Sequence, residues 1–281
     1  MSLLDCILNL AGLLLWLNWV APRLDSVVRV SAASLAGTLT RAEDFRPRRD
    51  RFFLSLLLLV AGRGFLYWRI GPNVDWTAHL QMGLVAISFR SDFLLRMLCY
   101  SALSFLLTLA TFYLWLLFLS ALNTSVPEKD SVQKLVRVHL GWLERLPLAV
   151  KWLVPFVVAA LAWLALQPLF SWMGLIPRLQ AREQLFEQAA VIGLGSYLVW
   201  KYLIVGILVL HVLNTYVYLG NNPFWMFLNT TARRIMGPLD WLPLRVGKVD
   251  FAPLLVVAAI FLLTEFAIPR GFALLYGQLA L

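Results

Sequence analysis

Chemistry in this sequence would have to come from three histidines, two cysteines and a few charged residues set inside apolar runs. Two axial haem ligands need histidines at matched depth on facing membrane spans. Only His211 lies within a predicted span; His79 falls in a connecting loop and His139 on an amphipathic stretch. Cys6 and Cys99 are solitary, without the CxxC spacing of zinc or redox sites, and read as small buried hydrophobes. No HExxH, GxSxG or paired-aspartate constellation occurs. No enzyme, catalytic residue, metal or cofactor is therefore expected. The remaining candidates are polar groups inside the apolar runs, where their cost makes them notable. His211, Asn214, Thr215 and Tyr218 recur at i, i+3, i+4 and i+7, which predicts one polar face turned toward other helices. Hydrogen bonds made there contribute about 0.6–2 kcal/mol and read as structural glue before they read as a pathway. Lys201 and Glu265 lie at matched depth near the outer ends of their spans and are expected to pair. Arg63 has no evident partner and is expected to snorkel outward.

The elements that must position these residues are membrane helices. Of 281 residues 61% are hydrophobic and 14% charged, with a mean hydropathy of +0.78. Soluble domains run at roughly 45–50% apolar and about 25% charged. Continuous apolar runs at 3–20, 52–70, 93–122, 152–170, 196–219 and 252–268 predict an all-α, polytopic membrane protein of about six spans. Their lack of alternation excludes a membrane barrel. The start, MSLLD, carries Asp5 and no basic residue before the apolar core, so the first run reads as an uncleaved span and not a signal peptide.

The spans form three pairs, 1–92, 93–195 and 196–281, each built around a linker of about thirty residues. Asn123 and Asn221 follow the first spans of the last two pairs. PFVVAALAWL at 155–164 echoes PLLVVAAIFL at 253–262, and LERLP at 143–147 echoes LDWLP at 239–243. The first pair shares the layout without the prolines. Linkers 21–51, 123–151 and 221–251 carry seven, five and four Lys or Arg, whereas the opposite loops and termini hold only Arg90, Arg178, Arg182 and Arg270. The positive-inside rule then places the linkers in the cytoplasm and both termini outside. The net charge of +9 points to anionic lipid headgroups, not nucleic acid. Residues 24–39 and 132–146 have helical apolar stripes, suited to the headgroup plane and, compatibly, to packing on the bundle's own end.

The stretch NNPFWMFLNTTARRIMGPLDWLPLRVGKVDFAPLL, 221–255, fits a chain that lies on the membrane and re-enters it. Asn221 and Pro223 stop the fifth span. Trp225 suits the interfacial aromatic belt. FLNTTARRIM predicts one to two helical turns presenting Arg233 and Arg234, like Arg137 in the preceding linker, to headgroups or an acidic partner. Gly237 and Pro238 break that helix, LDWLP makes a second short turn, and Asp250 is expected to cap the sixth span, with Pro253 in its first turn.

This pattern, NP-F-x3-L-N…A-R-R-I-x-G-P-L…L-P…G-x-x-D-F-A-P-L over 198–268, resembles the YggT family (YlmG in some bacteria and in plastids), with a degenerate copy over 96–170. The resemblance implies a multi-pass protein of a bacterial cytoplasmic or thylakoid-type membrane. It also implies links to cell division, membrane organisation, osmotic tolerance or membrane-complex assembly. Two functions are expected from the whole sequence. One is a scaffold whose basic cytoplasmic face binds anionic lipids and protein partners, with self-association into homo-oligomers. The other is a small-solute or ion channel or transporter using the polar face of span five and the Lys201–Glu265 pair.

Overall fold

In hydrocarbon a chain must bond its own backbone, so the long apolar runs become helices. A computed structural model describes residues 3–29, 49–74, 76–82, 85–124, 131–176, 182–217, 222–237, 245–246, 249–268 and 270. Among them five helical runs are long and apolar enough to cross a membrane: Leu3–Val20, Asp50–Asn73, Leu94–Leu122, Leu148–Trp172 and Glu183–Tyr216. The chain is an all-α, multi-pass membrane protein. The sixth expected span is a shorter apolar helix, Ala252–Phe266. The fifth begins earlier than the hydropathy suggested, because the helix α6 (Arg182–Gly195) continues through a 3-10 turn into α7 (Trp200–Tyr216).

The chain divides into two compact units. The first comprises residues 1–81, 86–110 and 170–177. Here α1 (Leu3–Arg29) and α2 (Arg49–Ile70) pack with the first half of α3 (Leu94–Leu122). Small residues let the backbones approach, as expected where lipid removes the hydrophobic drive between helices. A Cβ on Gly12 would lie 2.8 Å from the Phe105 ring, and one on Gly64 would lie 3.0 Å from the Leu98 Cα. The loop between α2 and α3, for which no strand was expected, holds a two-stranded sheet, β1 (Thr77–Met82) and β2 (Val85–Arg90). Its residues alternate in burial: Ala78, Leu80, Ile87 and Phe89 point inward, while Thr77, His79, Gln81, Ser88 and Arg90 point out. That period-two pattern is present in the sequence, with Gly83 in the two-residue connection.

The second unit comprises residues 82–85, 111–169 and 178–281. Two surface helices, α4 (Ser131–Leu140) and α8 (Pro223–Met236), bury an apolar side on it. Val136 and Leu140 of α4 pack on Leu116 and Leu117 of α3, and on Val154 of α5 (Leu148–Trp172). Leu228, Ala232 and Met236 of α8 pack on Ile207 and Leu208 of α7, and on Val256 of α9 (Ala252–Phe261). Both helices thus pack onto the protein's own spans, as the stripe at 132–146 allows. The stripe at 24–39 lies largely outside the described residues. Gly141, with φ of +55°, takes the left-handed conformation where α4 ends. The helix α8 has 14 residues, about four turns against the one to two expected, because Pro223 starts it at the first helical position.

Gly64 and Gly206 make a paired test of close approach. Gly64→Ala sets a methyl group against backbone that cannot give way and is expected to lower stability by about 1–3 kcal/mol. Gly206 has nothing within 4 Å of its Cβ position, so Gly206→Ala should be neutral or stabilise by up to about 1 kcal/mol. Thermal unfolding of both variants in one detergent measures the contrast.

Candidate functional site

Three helices of the first unit each contribute two polar residues four apart: Asp5 and Asn9 on α1, Arg63 and Tyr67 on α2, Tyr100 and Ser104 on α3. Spacing of four puts each pair on one helix face. All six meet. Arg63 Nη2 donates to Asp5 Oδ1 at 2.7 Å and to Ser104 Oγ at 3.1 Å, and its Nη1 donates to Asn9 Oδ1 at 2.7 Å. The Tyr67 hydroxyl donates to Asp5 Oδ1 at 2.6 Å, the Tyr100 hydroxyl to Asp5 Oδ2 at 3.1 Å, and Asn9 Nδ2 to Ser104 Oγ at 3.0 Å. The guanidinium also lies 5.4 Å from the centroid of each tyrosine ring. Asp5 is 1% exposed and Arg63 3%. Arg63 therefore does not snorkel. A carboxylate within reach removes the reason to leave the interior, because a paired, hydrogen-bonded charge keeps its desolvation compensated.

An aromatic cover closes this cluster. The Trp76 ring lies 4.8 Å from that of Tyr67, and Phe89 of β2 lies 5.6 Å from Tyr100 and 6.3 Å from Phe170. The small sheet thus supplies the apolar layer over the ion pair. The arrangement holds a charge pair dry, and among the described residues each buried side-chain nitrogen and oxygen of the cluster has a hydrogen-bond partner, except Arg63 Nε.

A second polar region lies where the last two helix pairs meet, at the end of α3. The last carbonyls of a helix have no partner within it. Arg234 Nη1 of α8 donates to the Leu122 carbonyl at 2.6 Å, and Gln133 Nε2 of α4 donates to the Asn123 carbonyl at 3.3 Å. Asn123 Nδ2 donates to Thr231 Oγ1 at 3.0 Å. Arg234 is therefore a cap for the C-terminus of α3, where a cation also suits the helix dipole. Both arginines were expected to serve the surface; Arg233 is exposed, whereas Arg234 is committed to the Leu122 carbonyl. Arg96 does the same for α5 in the first unit, donating to the Met173 carbonyl at 2.7 Å. Beside the α3 end, Glu144 accepts from Ser120 and faces Lys151 at 3.5 Å and Arg137 at 3.4 Å. Arg137 is turned toward this carboxylate instead of standing free for headgroups.

The remaining expected residues are spread over the second unit. Lys201 Nζ donates to Glu265 Oε1 at 2.6 Å, the pairing inferred from their depth. His211 Nδ1 lies 2.8 Å from Asn229 Oδ1 of α8, so part of the polar face of α7 meets the surface helix. Thr215 turns back to the His211 carbonyl, and Asn214 is half-buried. Trp225 packs against the core of α7, α8 and α9 as well as stacking near Phe224. Gly237 ends α8, and Pro253 lies in the first turn of α9. Asp250 does not cap that helix. It is paired in register with Arg245 in a two-residue strand, and Phe251 holds the cap position. Asn221, Tyr218, Pro238 and the LDWLP turn lie outside the described residues. Cys99 is half-buried, but Cys6 is exposed on α1, contrary to the buried role expected for it.

The Asp5–Arg63 pair gives a double-mutant test. Removing one partner leaves a buried charge uncompensated, and Asp5→Asn or Arg63→Met alone is expected to destabilise by about 3–5 kcal/mol. The combined variant should be less destabilised than either single one, read from unfolding in detergent or bilayers. A coupling energy near zero would show that each group is satisfied without the other.

Comparisons of the chain with protein-family models, with curated proteins and with solved structures give no match.

Proposed function

We propose that this protein is a membrane scaffold or organiser of a bacterial cytoplasmic membrane. Its three basic linkers lie in the cytoplasm, and both termini lie outside. On that face it binds anionic lipid headgroups and protein partners, in a role like those the YggT resemblance suggests: cell division, membrane organisation or assembly of membrane complexes. The observation that carries this reading is the way α4 and α8 use their charge. Each helix buries its apolar side on the spans and commits one arginine, Arg137 or Arg234, to the protein itself. Arg145, just beyond α4, and Arg233 on α8 are left exposed. Exposed Trp142, Phe224 and Met226 beside them suit the interfacial zone. The pathway reading loses ground because its chosen residues are already engaged, His211 with Asn229 and Lys201 with Glu265.

Each basic residue near an anionic surface contributes about 1 kcal/mol, so losing two amounts to roughly 30-fold in affinity. Arg145→Gln/Arg233→Gln is expected to bind phosphatidylglycerol that much more weakly, with its unfolding temperature in neutral lipid unchanged. The difference should shrink at high salt, which screens surface charge. Arg234→Gln should behave oppositely. It loses a charge-assisted bond of about 1.5–3 kcal/mol and lowers the unfolding temperature in any lipid. Native mass spectrometry of bound lipid, with unfolding measured in parallel, separates the effects. Undiminished lipid binding by the double variant contradicts the proposal.

A further inference from the structure

Glu265 differs from Arg63, Asp5 and Lys151, the buried charged groups of the helices. The side chains of Arg63, Asp5 and Lys151 are 1%, 2% and 3% exposed, whereas that of Glu265 is 54% exposed and that of Lys201 15%. The pair also lies below the interface, toward the outer ends of the spans. At about 1.5 Å per residue, Lys201 stands roughly 22 Å from Tyr216 and Glu265 roughly 20 Å from Ala252, inside a hydrocarbon layer of about 30 Å. Around them the surface is apolar: Tyr202, Leu262 and Phe266 are all more than half exposed. Lipid tails offer a carboxylate no donor, and a half-exposed charge at that depth is expensive.

Two details show what would satisfy it. Glu265 lies in a six-residue π-helical turn, Leu262–Ala267, a departure from regular helix that often marks functional positions. Only one of its oxygens is used: Oε1 accepts from Lys201, and Oε2 has no partner among the described residues. Lys201 in turn has three protons. One goes to Oε1, and the ammonium also faces the Tyr202 ring at 5.0 Å. Among the described residues, the surface therefore presents a carboxylate with a vacant acceptor beside an ammonium with further donors.

The geometry points to self-association through this seam, with a second copy of the chain as the occupant. A patch carrying both charges side by side is complementary to itself under a two-fold axis, the symmetry of most homodimers. Glu265 of each copy meets Lys201 of the other, so four charges close into a neutral ring and each Oε2 gains a donor. The apolar residues around the ring become the buried border of the interface, which excludes lipid from it. This inference is independent of the basic face and of the lipids that it binds.

The test is energy transfer between donor- and acceptor-labelled copies in liposomes over a range of protein-to-lipid ratios. Wild type is expected to show transfer well below the density at which random proximity produces it. Lys201→Met/Glu265→Leu removes the charges while keeping apolar bulk, a change that often leaves a fold as stable or more so. It should keep its unfolding temperature and need at least ten times more protein per lipid for equal transfer. Lys201→Glu and Glu265→Lys, each in a separate chain, should not associate alone but should associate when combined. If either accumulates only when co-expressed with the other, that rescue is also what the ring predicts. The proposal fails if wild type is monomeric at every dilution, or if the apolar double variant associates as wild type does. It fails equally if the two charge variants stay apart, or do not accumulate, when combined.

Discussion

Hydrocarbon supplies no hydrogen bonds, and the architecture of this protein follows from that constraint. A polar group within a span must find its partner in the protein, and the partner's position decides which helices touch. The Asp5 carboxylate is the clearest instance. It accepts from Arg63, Tyr67 and Tyr100, so α1, α2 and α3 are held at one depth and one rotation. Ser101, donating to the Val60 carbonyl at 2.7 Å, adds a bond between α2 and α3 a turn away. Glycine does the complementary work by bringing backbones close enough for short polar side chains to reach.

Helix ends obey the same rule. The Leu122 carbonyl at the end of α3 and the Met173 carbonyl just past α5 are each met by an arginine from elsewhere in the chain. A guanidinium suits the role because it keeps its charge and offers several donors in a plane. At the end of α3 this has an organisational consequence. Arg234 and Thr231 come from the last helix pair, while Leu122 and Asn123 come from the one before. Their bonds tie the two helix pairs together, and the adjacent Arg233 remains available to the surface. Two neighbouring arginines of one motif thereby have different physical roles.

Helices are legible in this sequence because their signal is simple: about twenty apolar residues in a row admit few alternatives. The small β1–β2 sheet was harder to read, since six-residue alternation is a weak signal beside long apolar runs. The Lys201–Glu265 pair was accessible from depth alone, both residues being charged and each alone on its span. The Asp5–Arg63 cluster went unread although its signs were present. Three spans each carry polar residues at i and i+4, but the bonds join different helices, and a single sequence does not state which faces meet. The Arg234 cap is less legible still, because its acceptor is a backbone carbonyl, and every residue has one. Asp250 shows the opposite error: a good capping residue was displaced by two residues of strand pairing.

The central claim is that the basic linkers share one side of the membrane and that this side is the cytoplasmic one. Single cysteines introduced as Trp142→Cys, Gly237→Cys and Glu183→Cys, in a chain whose Cys6 and Cys99 are replaced by serine, test it most directly. The account predicts that an impermeant thiol reagent applied to intact cells labels position 183 and leaves 142 and 237 unmodified until the membrane is opened. Labelling of 142 or 237 in intact cells, with 183 protected, would contradict it.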